Sequence, residues 1–493
     1  GNSLLPDAVV ERTVAPYMGP GRRFADIEGA RAALEKAYQE AGYLSVLVSL
    51  PNQRVDAGEV TLSVTEAPVE QLTVTGAAHT RPSLIREALP AVAPGQVPHF
   101  PSLQQEIANT QSANLQITPL VNATDAGDAI DVDLKIQDKA PYFGSIEFNN
   151  AQSYNTTRGR INATVGINNL FQLGHTLGLS WQYAPRRPDD TNTLSLLYGL
   201  PLGPKDDLLF TLTTSNSDTP TQVSGSGPDS TLTKGTFAGV RWTHRLPALN
   251  WPVRHSVFVG LDYKRNRDFS TFKDGEIVQR PPTRYPILSG GYNFTHSGAG
   301  DVLSTASASL RAVSSAMGGR TVDCDGLTLE QFDCKRAGAS SHFAALQLAV
   351  GHARPVLGDW RLNLSADLQL ATGALPSGEQ YSLGGSSTVR GYYDFEQSGD
   401  EGWRTRAELV SPVWLEVAGI QATALTFVDR GFVRIVDPQP TQTARTHLGS
   451  YGLGLRFFAS WGMTLSIDYA RVVFDTDGVR LNWRPTSVAK RLY

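Results

Sequence analysis

The 493-residue chain has no run of 18 or more apolar residues, so it offers no transmembrane helix, and any passage across a bilayer has to be made by strands closed into a barrel. Charge is also scarce, at 18% Asp, Glu, Lys and Arg against 41% hydrophobic residues, and only 3 methionines accompany 46 glycines. Soluble domains average about a quarter charged residues, so the deficit points to a large apolar surface or to uncharged polar strands. A basic surplus is missing too. Residues 1–140 carry 10 Lys and Arg against 17 Asp and Glu, the remainder 33 against 30, and this net −4 chain gives nucleic acid no electrostatic footprint. No signal peptide is visible, but the chain opens on Gly1-Asn2-Ser3-Leu4 as if in mid-domain, and the expectation is that an upstream segment is missing.

Motifs that carry chemistry are absent as well. There is no Gly-x-x-x-x-Gly-Lys phosphate cradle and no Gly-x-Ser-x-Gly nucleophile elbow, and the nine histidines include no His-x-x-x-His pair. The expectation is a non-enzyme without cofactor or metal. Only two cysteines occur, Cys324 and Cys334, ten positions apart in a polar, Gly-flanked stretch. Without nearby histidines they make a poor zinc site, and the reading is a local disulfide stapling an extracellular loop.

What is present falls into two textures. The first 140 residues read as two α/β modules, 1–67 and 68–140. In the first, Asp26 is placed to N-cap a helix whose apolar positions Ile27, Ala30, Leu34, Ala37 and Ala41 follow the 3.6 period, with Gly42 at its end. Alternating segments follow at Leu44–Leu50 and Val60–Val64. The second module repeats the plan: a strand over 69–75, a helix near 83–89, a helix opened by a Ser102 and Gln105 capping box, and strands at 115–122 and 129–137.

From Pro141 onward helical periodicity disappears. Ile161, Ala163, Val165 and Ile167 alternate with Asn162, Thr164, Gly166 and Asn168, and Leu362 to Leu370 alternate in the same way with Asn363, Ser365, Asp367 and Gln369. One face suits lipid and the other water. About 16 such segments lie near 143, 161, 177, 194, 209, 238, 258, 289, 306, 346, 364, 406, 424, 453, 466 and 480, which predicts a transmembrane barrel of about 16 antiparallel strands over 141–493. Trp181, Tyr183, Tyr263, Tyr285, Trp360 and Trp403 gather at strand ends, as interfacial girdles require.

The longest connection, 371–402, contains Arg390 in SSTVRGYYDFE. A guanidinium folded back into a wet lumen favours a bidentate carboxylate partner. Two candidates suit it. Asp429 ends the alternating run Ile420, Ala422, Ala424, Thr426, beside Gly431, and Glu408 shares a strand face with Arg404 and Arg406, three charges that cannot face lipid.

Val389-Arg390-Gly391-Tyr392, followed by Phe427-x-Asp429-x-Gly431 on a barrel strand, resembles the paired signature of the Omp85 superfamily. Two tandem POTRA-like modules before a barrel resemble, more narrowly, the TpsB transporters of two-partner secretion, of the haemolysin-activator and filamentous-haemagglutinin-exporter type. The resemblance implies that Arg390 sits at the tip of a lumen-inserted loop and pairs with Asp429, with Glu408 as a further acceptor; Gly391 permits the tight tip and Tyr392 packs beside it. It implies a Gram-negative outer-membrane pore with periplasmic modules that recognises an unfolded partner exoprotein, contacts outer-membrane lipid and lipopolysaccharide, and is inserted by the barrel assembly machinery. An outer-membrane assembly factor of the same superfamily is the alternative. Against the family's usual pattern, the expectation is that the plug helix and the first strand of the first module fall outside these 493 residues, so no plug residue is assigned; the last segment, Ser487 to Tyr493, is charged up to the terminal aromatic.

Overall fold

In the computed structural model the described residues are 1–53, 55, 58–111, 114–222, 231–247, 253–267, 269–273, 276–324, 326–440, 442–474 and 484–492. They form two compact units, one built on Gly1–Pro141 and one beginning at Tyr142.

The first unit runs α1 (Asp7–Val14), α2 (Phe24–Glu40), β1 (Val46–Ser49) and β2 (Ser63–Glu66), then β3 (Val69–Thr75), α3 (Pro82–Ala88), α4 (Phe100–Thr110), β4 (Leu115–Ala123) and β5 (Ile130–Asp138). Strands β1 and β2 pair antiparallel, and α2 buries Leu34 and Tyr38 against Val46 and Val48 on the face that its 3.6 period predicts. In the second half β5 is central, parallel to β3 and antiparallel to β4, and its alternating Ile130, Val132, Leu134 and Ile136 are all buried. Both expected helix starts shift. Helix α2 begins two residues before Asp26, which sits in the first turn and accepts the Arg23 N–H at 2.8 Å. Helix α4 begins at Phe100, so Ser102 is inside it, with its hydroxyl 2.7 Å from His99 Nδ1. Pro101 sets this earlier start, because a ring that fixes φ and lacks N–H suits a first turn. The strand expected from Leu44 is shorter, and α1 lacks a sequence signal as clear as that of α2.

The second unit starts with β6 (Tyr142–Asn149), β7 (Arg160–Leu170), β8 (His175–Tyr183), β9 (Asn192–Pro201) and β10 (Asp206–Gln222). It continues with β11 (Thr231–Arg245), β12 (Val253–Asn266), a hairpin of β13 (Phe269–Lys273) and β14 (Glu276–Arg280), β15 (Thr283–Gly298) and β16 (Val302–Val313). A second hairpin, β17 (Thr321–Cys324) with β18 (Leu327–Glu330), precedes β19 (Phe343–Pro355) and β20 (Arg361–Ala371). A third, β21 (Tyr381–Leu383) with β22 (Gln397–Gly399), precedes β23 (Glu401–Val410), the short β24 (Leu415–Val417) and β25 (Ile420–Arg434). Last come β26 (Arg445–Ala459), β27 (Met463–Val472) and β28 (Arg484–Leu492).

Among the described residues sixteen of these strands close an antiparallel barrel, with β28 paired to β6 and β24 set between β23 and β25. The segment expected near 480 lies outside the described residues; the other fifteen fall on barrel strands. Alternation explains the closure. On β12, Val259, Leu261 and Tyr263 point outward and are exposed, while Phe258, Asp262 and Lys264 are buried inside. Strand β10 repeats the rule with Phe210 and Leu212 outside and Thr211, Thr213 and Ser215 inside. Apolar residues out and polar residues in is the inverse of a soluble fold, and it suits a lipid surround. Of the expected girdle residues, Trp181, Tyr263, Trp360 and Trp403 are exposed, but Tyr285 is 1% exposed and turned inward. Its phase on β15 matches that of buried Ile287, so register overrides the aromatic expectation.

Candidate functional site

The connection from β20 to β23 folds back into the barrel. Its neck is the β21–β22 hairpin, in register Tyr381↔Gly399, Ser382↔Ser398 and Leu383↔Gln397, and its tip carries Val389 to Tyr392. Apolar side chains hold the tip down: Tyr381, Leu383, Val389 and Tyr392 cluster with Val433 of β25 and Leu448 of β26.

Arg390 is 3% exposed and Asp429 fully buried. Arg390 donates from Nε to Asp429 Oδ2 at 2.7 Å and from Nη2 to Oδ1 at 2.8 Å, a bidentate fork, and its backbone N–H adds a third bond to Oδ2 at 3.1 Å. Nη1 donates to Glu408 Oε1 at 2.8 Å. The guanidinium carbon sits 3.5 Å from the centroid of the Phe427 ring, a cation–π contact in a desolvated place. Residues 427, 429 and 431 alternate inward on β25 while Val428 and Arg430 face out, so strand phase brings Asp429 and the Phe427 ring to one wall, and register sets Glu408 of β23 opposite Phe427.

The other tip residues fit closely. Gly391 has φ +94°, where a side chain is strained, and a Cβ there would lie 3.0 Å from Val472 Cγ1 and 3.2 Å from Ala470 Cβ. The Tyr392 hydroxyl donates to the Phe474 carbonyl at 2.7 Å and receives the Gly449 N–H at 3.3 Å. Gly431 leaves room for the neck, since a Cβ there would stand 2.6 Å from Leu383 Cδ1 and 3.3 Å from Val389 Cγ2.

Several partners escaped the sequence reading. Arg406, directly opposite Asp429 in register, donates from Nε to Oδ1 at 2.9 Å, and its Nη2 reaches the Thr388 carbonyl at 2.9 Å. Two arginines therefore face Asp429 and Glu408, and the quartet, buried at Arg390 and Asp429 and partly exposed at Arg406 and Glu408, is charge-balanced. Arg404 bridges Asp367 to the Ser387 carbonyl, and Asp468, bound by Arg456 at 2.7 Å, lies 4.0 Å from Arg390 Nη1. A separate set holds the rising and returning legs of the connection. Glu379 receives Lys264 Nζ at 2.5 Å, the Tyr285 hydroxyl at 2.9 Å and Arg311 Nη1 at 3.2 Å. Asp400 takes both Nη atoms of Arg336 at 2.6 Å and the N–H groups of Leu375 and Val436 at 2.8 and 2.7 Å. Lys264 had a usable signal, a charge in the inward phase of an alternating strand; Arg336 had none, being in an irregular connection. In that connection Cys324 and Cys334 form a disulfide.

Comparisons with known proteins converge on one kind of molecule. The family of haemolysin secretion/activation proteins ShlB/FhaC/HecB matches residues 128–457, and the ShlB-type POTRA domain matches residues 1–67. The outer membrane transporter CdiB of Escherichia coli is 25% identical over 432 residues, covering 83% of this chain and 67% of the relative. The structure of CdiB from Escherichia coli superimposes with a TM-score of 0.79 at 19% identity, over 100% of this chain and 89% of that one. BamA from Haemophilus ducreyi lacking POTRA domains 1–3 shares the fold at a TM-score of 0.55 and 13% identity, over 100% and 98% of the two chains. With the family match spanning two thirds of its length, the chain belongs to the haemolysin secretion/activation family, and is a TpsB-type outer-membrane transporter of the Omp85 superfamily whose POTRA region is periplasmic.

Proposed function

We propose that the protein captures an unfolded partner exoprotein in the periplasm through its POTRA modules, residues 1–67 and 68–140, and passes it through the barrel of residues 141–493 without nucleotide hydrolysis. The observation that carries this reading is the lumen connection held to the wall by Arg390 and Asp429 at 2.7 and 2.8 Å. A permanently open channel has no use for a buried, charge-balanced plug, whereas an export pore needs a closed resting state. In this reading Val389, Gly391, Tyr392, Phe427, Gly431 and Glu408 hold the plug, and substrate arrival releases it.

The second module offers a receiving strand. Strand β4 lies at the edge of its sheet with Leu120 and Val121 exposed, while the start of β3, the other edge, is already paired with Gly95 and Gln96. An extended chain adding to β4 gains backbone hydrogen bonds without demanding one sequence. Energy comes from the substrate, which folds outside and cannot return. Outer-membrane lipid, lipopolysaccharide and the barrel assembly machinery are the further partners, and nucleic acid is not one.

The test is co-expression with a candidate partner, a large secreted protein that carries an N-terminal secretion domain, in cells lacking both. The expected result is that the partner appears outside only when this chain is present, with other outer-membrane proteins unchanged. Loss of many outer-membrane proteins on its depletion would instead identify an assembly factor and overturn the export reading.

A further inference from the structure

The lumen connection is fastened in two places that share no side chain. Its tip binds β23 and β25 through Arg390, with Asp468 of β27 nearby. Its base binds a different arc of the wall: Glu379 reaches Lys264 of β12, Tyr285 of β15 and Arg311 of β16, and Asp400 reaches Arg336 in the connection between β16 and β19. Gln369 of β20 ties the two base carboxylates together by donating to the backbone carbonyls of Glu379 and Asp400, each at 3.0 Å.

Between base and tip the backbone bends sharply. Gly384 and Gly385 have φ of +113° and +90°, and Phe395, on the returning side, has φ +56°, an uncommon conformation for an aromatic residue. These bends flank the β21–β22 neck on its tip side, one on each leg. The tip is fixed by the Arg390 cluster, by Arg404 and Arg406 on the Ser387 and Thr388 carbonyls, by the Tyr392 hydroxyl and by apolar contacts, the base by two fully buried carboxylates with cations and backbone donors.

We infer that Glu379 and Asp400 are positioning residues that keep the base of the connection fixed, so that only residues 384–395 move when the pore opens. Motion of the tip then breaks one ion-pair cluster rather than three, and the returning tip finds Asp429 again because its base has not drifted. The purpose assigned to this motion rests on the export reading above, but the motion itself can be tested without any substrate.

Both native cysteines are consumed in the disulfide, so one introduced cysteine is the sole thiol of the chain. Val389→Cys reports on the tip and Ala374→Cys on the base, both positions being buried. Labelling by a membrane-impermeant maleimide is measured on the full chain in outer-membrane vesicles, with heat-modifiability as the control for insertion. Arg390→Ala, and the milder Arg390→Lys, are expected to speed labelling of V389C by about tenfold or more while A374C changes by less than about twofold, because losing a buried ion pair raises the open population locally. Glu379→Gln is expected to speed labelling of A374C by about tenfold. Equal speeding at both positions in the Arg390 variants would mean that the connection moves as a whole, and unchanged V389C labelling would mean that Arg390 does not hold the tip; either result overturns the inference. Failure of secretion assays alone would leave this readout standing and would count against the export reading instead.

Discussion

Asp429 accepts hydrogen bonds from two guanidiniums and a backbone N–H inside a protein wall, so deleting its carboxylate removes an acceptor that two cations share and leaves Glu408 to balance both. Breaking a buried pair of this kind costs about 3–5 kcal/mol. Asp429→Ala is therefore expected to loosen the connection more than Glu408→Ala, since Glu408 accepts from one guanidinium, that of Arg390, among the described residues and is partly exposed. Limited proteolysis between 372 and 400 checks this order. Gly391→Ala should act through geometry instead, raising cleavage without removing a charge, because φ +94° costs a side chain about 1–2 kcal/mol. In the first unit, burial pushes the Asp138 carboxyl up, but the N–H groups of Ala78, His79 and Thr80 outweigh it and hold the group below the usual carboxylate range. A depressed folded value means stability that is present above the unfolded value near pH 4 and lost as pH falls through the folded one. The amide resonances of Ala78 to Thr80 should then titrate only below about pH 4, and not at all in Asp138→Asn. Titration at or above that value would contradict it. At this scale the sequence revealed Arg390, Asp429 and Glu408 through their phase and motif, but not Arg406 as a partner of Asp429, because pairing across β23 and β25 depends on register that no local pattern states.

At the scale of elements, the barrel strands were legible because lipid and lumen impose a strict two-residue period, seen in Val259, Leu261 and Tyr263 against Asp262 and Lys264. Helix starts were not, because Pro101 competed with Ser102 and chain geometry displaced Asp26 from its expected cap. The irregular connections were least legible of all. That between β16 and β19 carries the disulfide and also Phe332, packed edge-on against Tyr285 with ring centroids 4.7 Å apart, and Arg336 on Asp400. Closing a short loop by a disulfide restricts the unfolded chain by about 3 kcal/mol. Replacing Cys324 and Cys334 together by serine should leave barrel heat-modifiability intact while making residues 326–342 protease-sensitive, and the same change should follow a reductant in the native chain. Unchanged resistance in both would show that Phe332 and Arg336 suffice to order this connection.

For the whole molecule, the claim is that one connection keeps an export pore shut and that its release is part of transport. The sequence pointed to that arrangement through the order of its parts: α/β modules, barrel, arginine tip, acidic strand. It did not disclose that the base of the plug is held by Lys264, Arg311 and Arg336, because these come from strands and loops 64 to 115 residues away from their acceptors. A charge-swapped pair at 390 and 429 would be an unclean probe, since an arginine at 429 would face Arg406 across the register. Neutral replacements avoid this. The most direct measurement is export of the partner exoprotein, per inserted heat-modifiable barrel, by Arg390→Ala and Asp429→Ala beside the unaltered protein. The account predicts that secretion falls by about tenfold or more, because a tip that has lost a few kcal/mol of docking energy stays loose in the lumen instead of returning to its place between β23 and β25 after release, while the amount of inserted barrel stays within about twofold. Full export from both variants would contradict it.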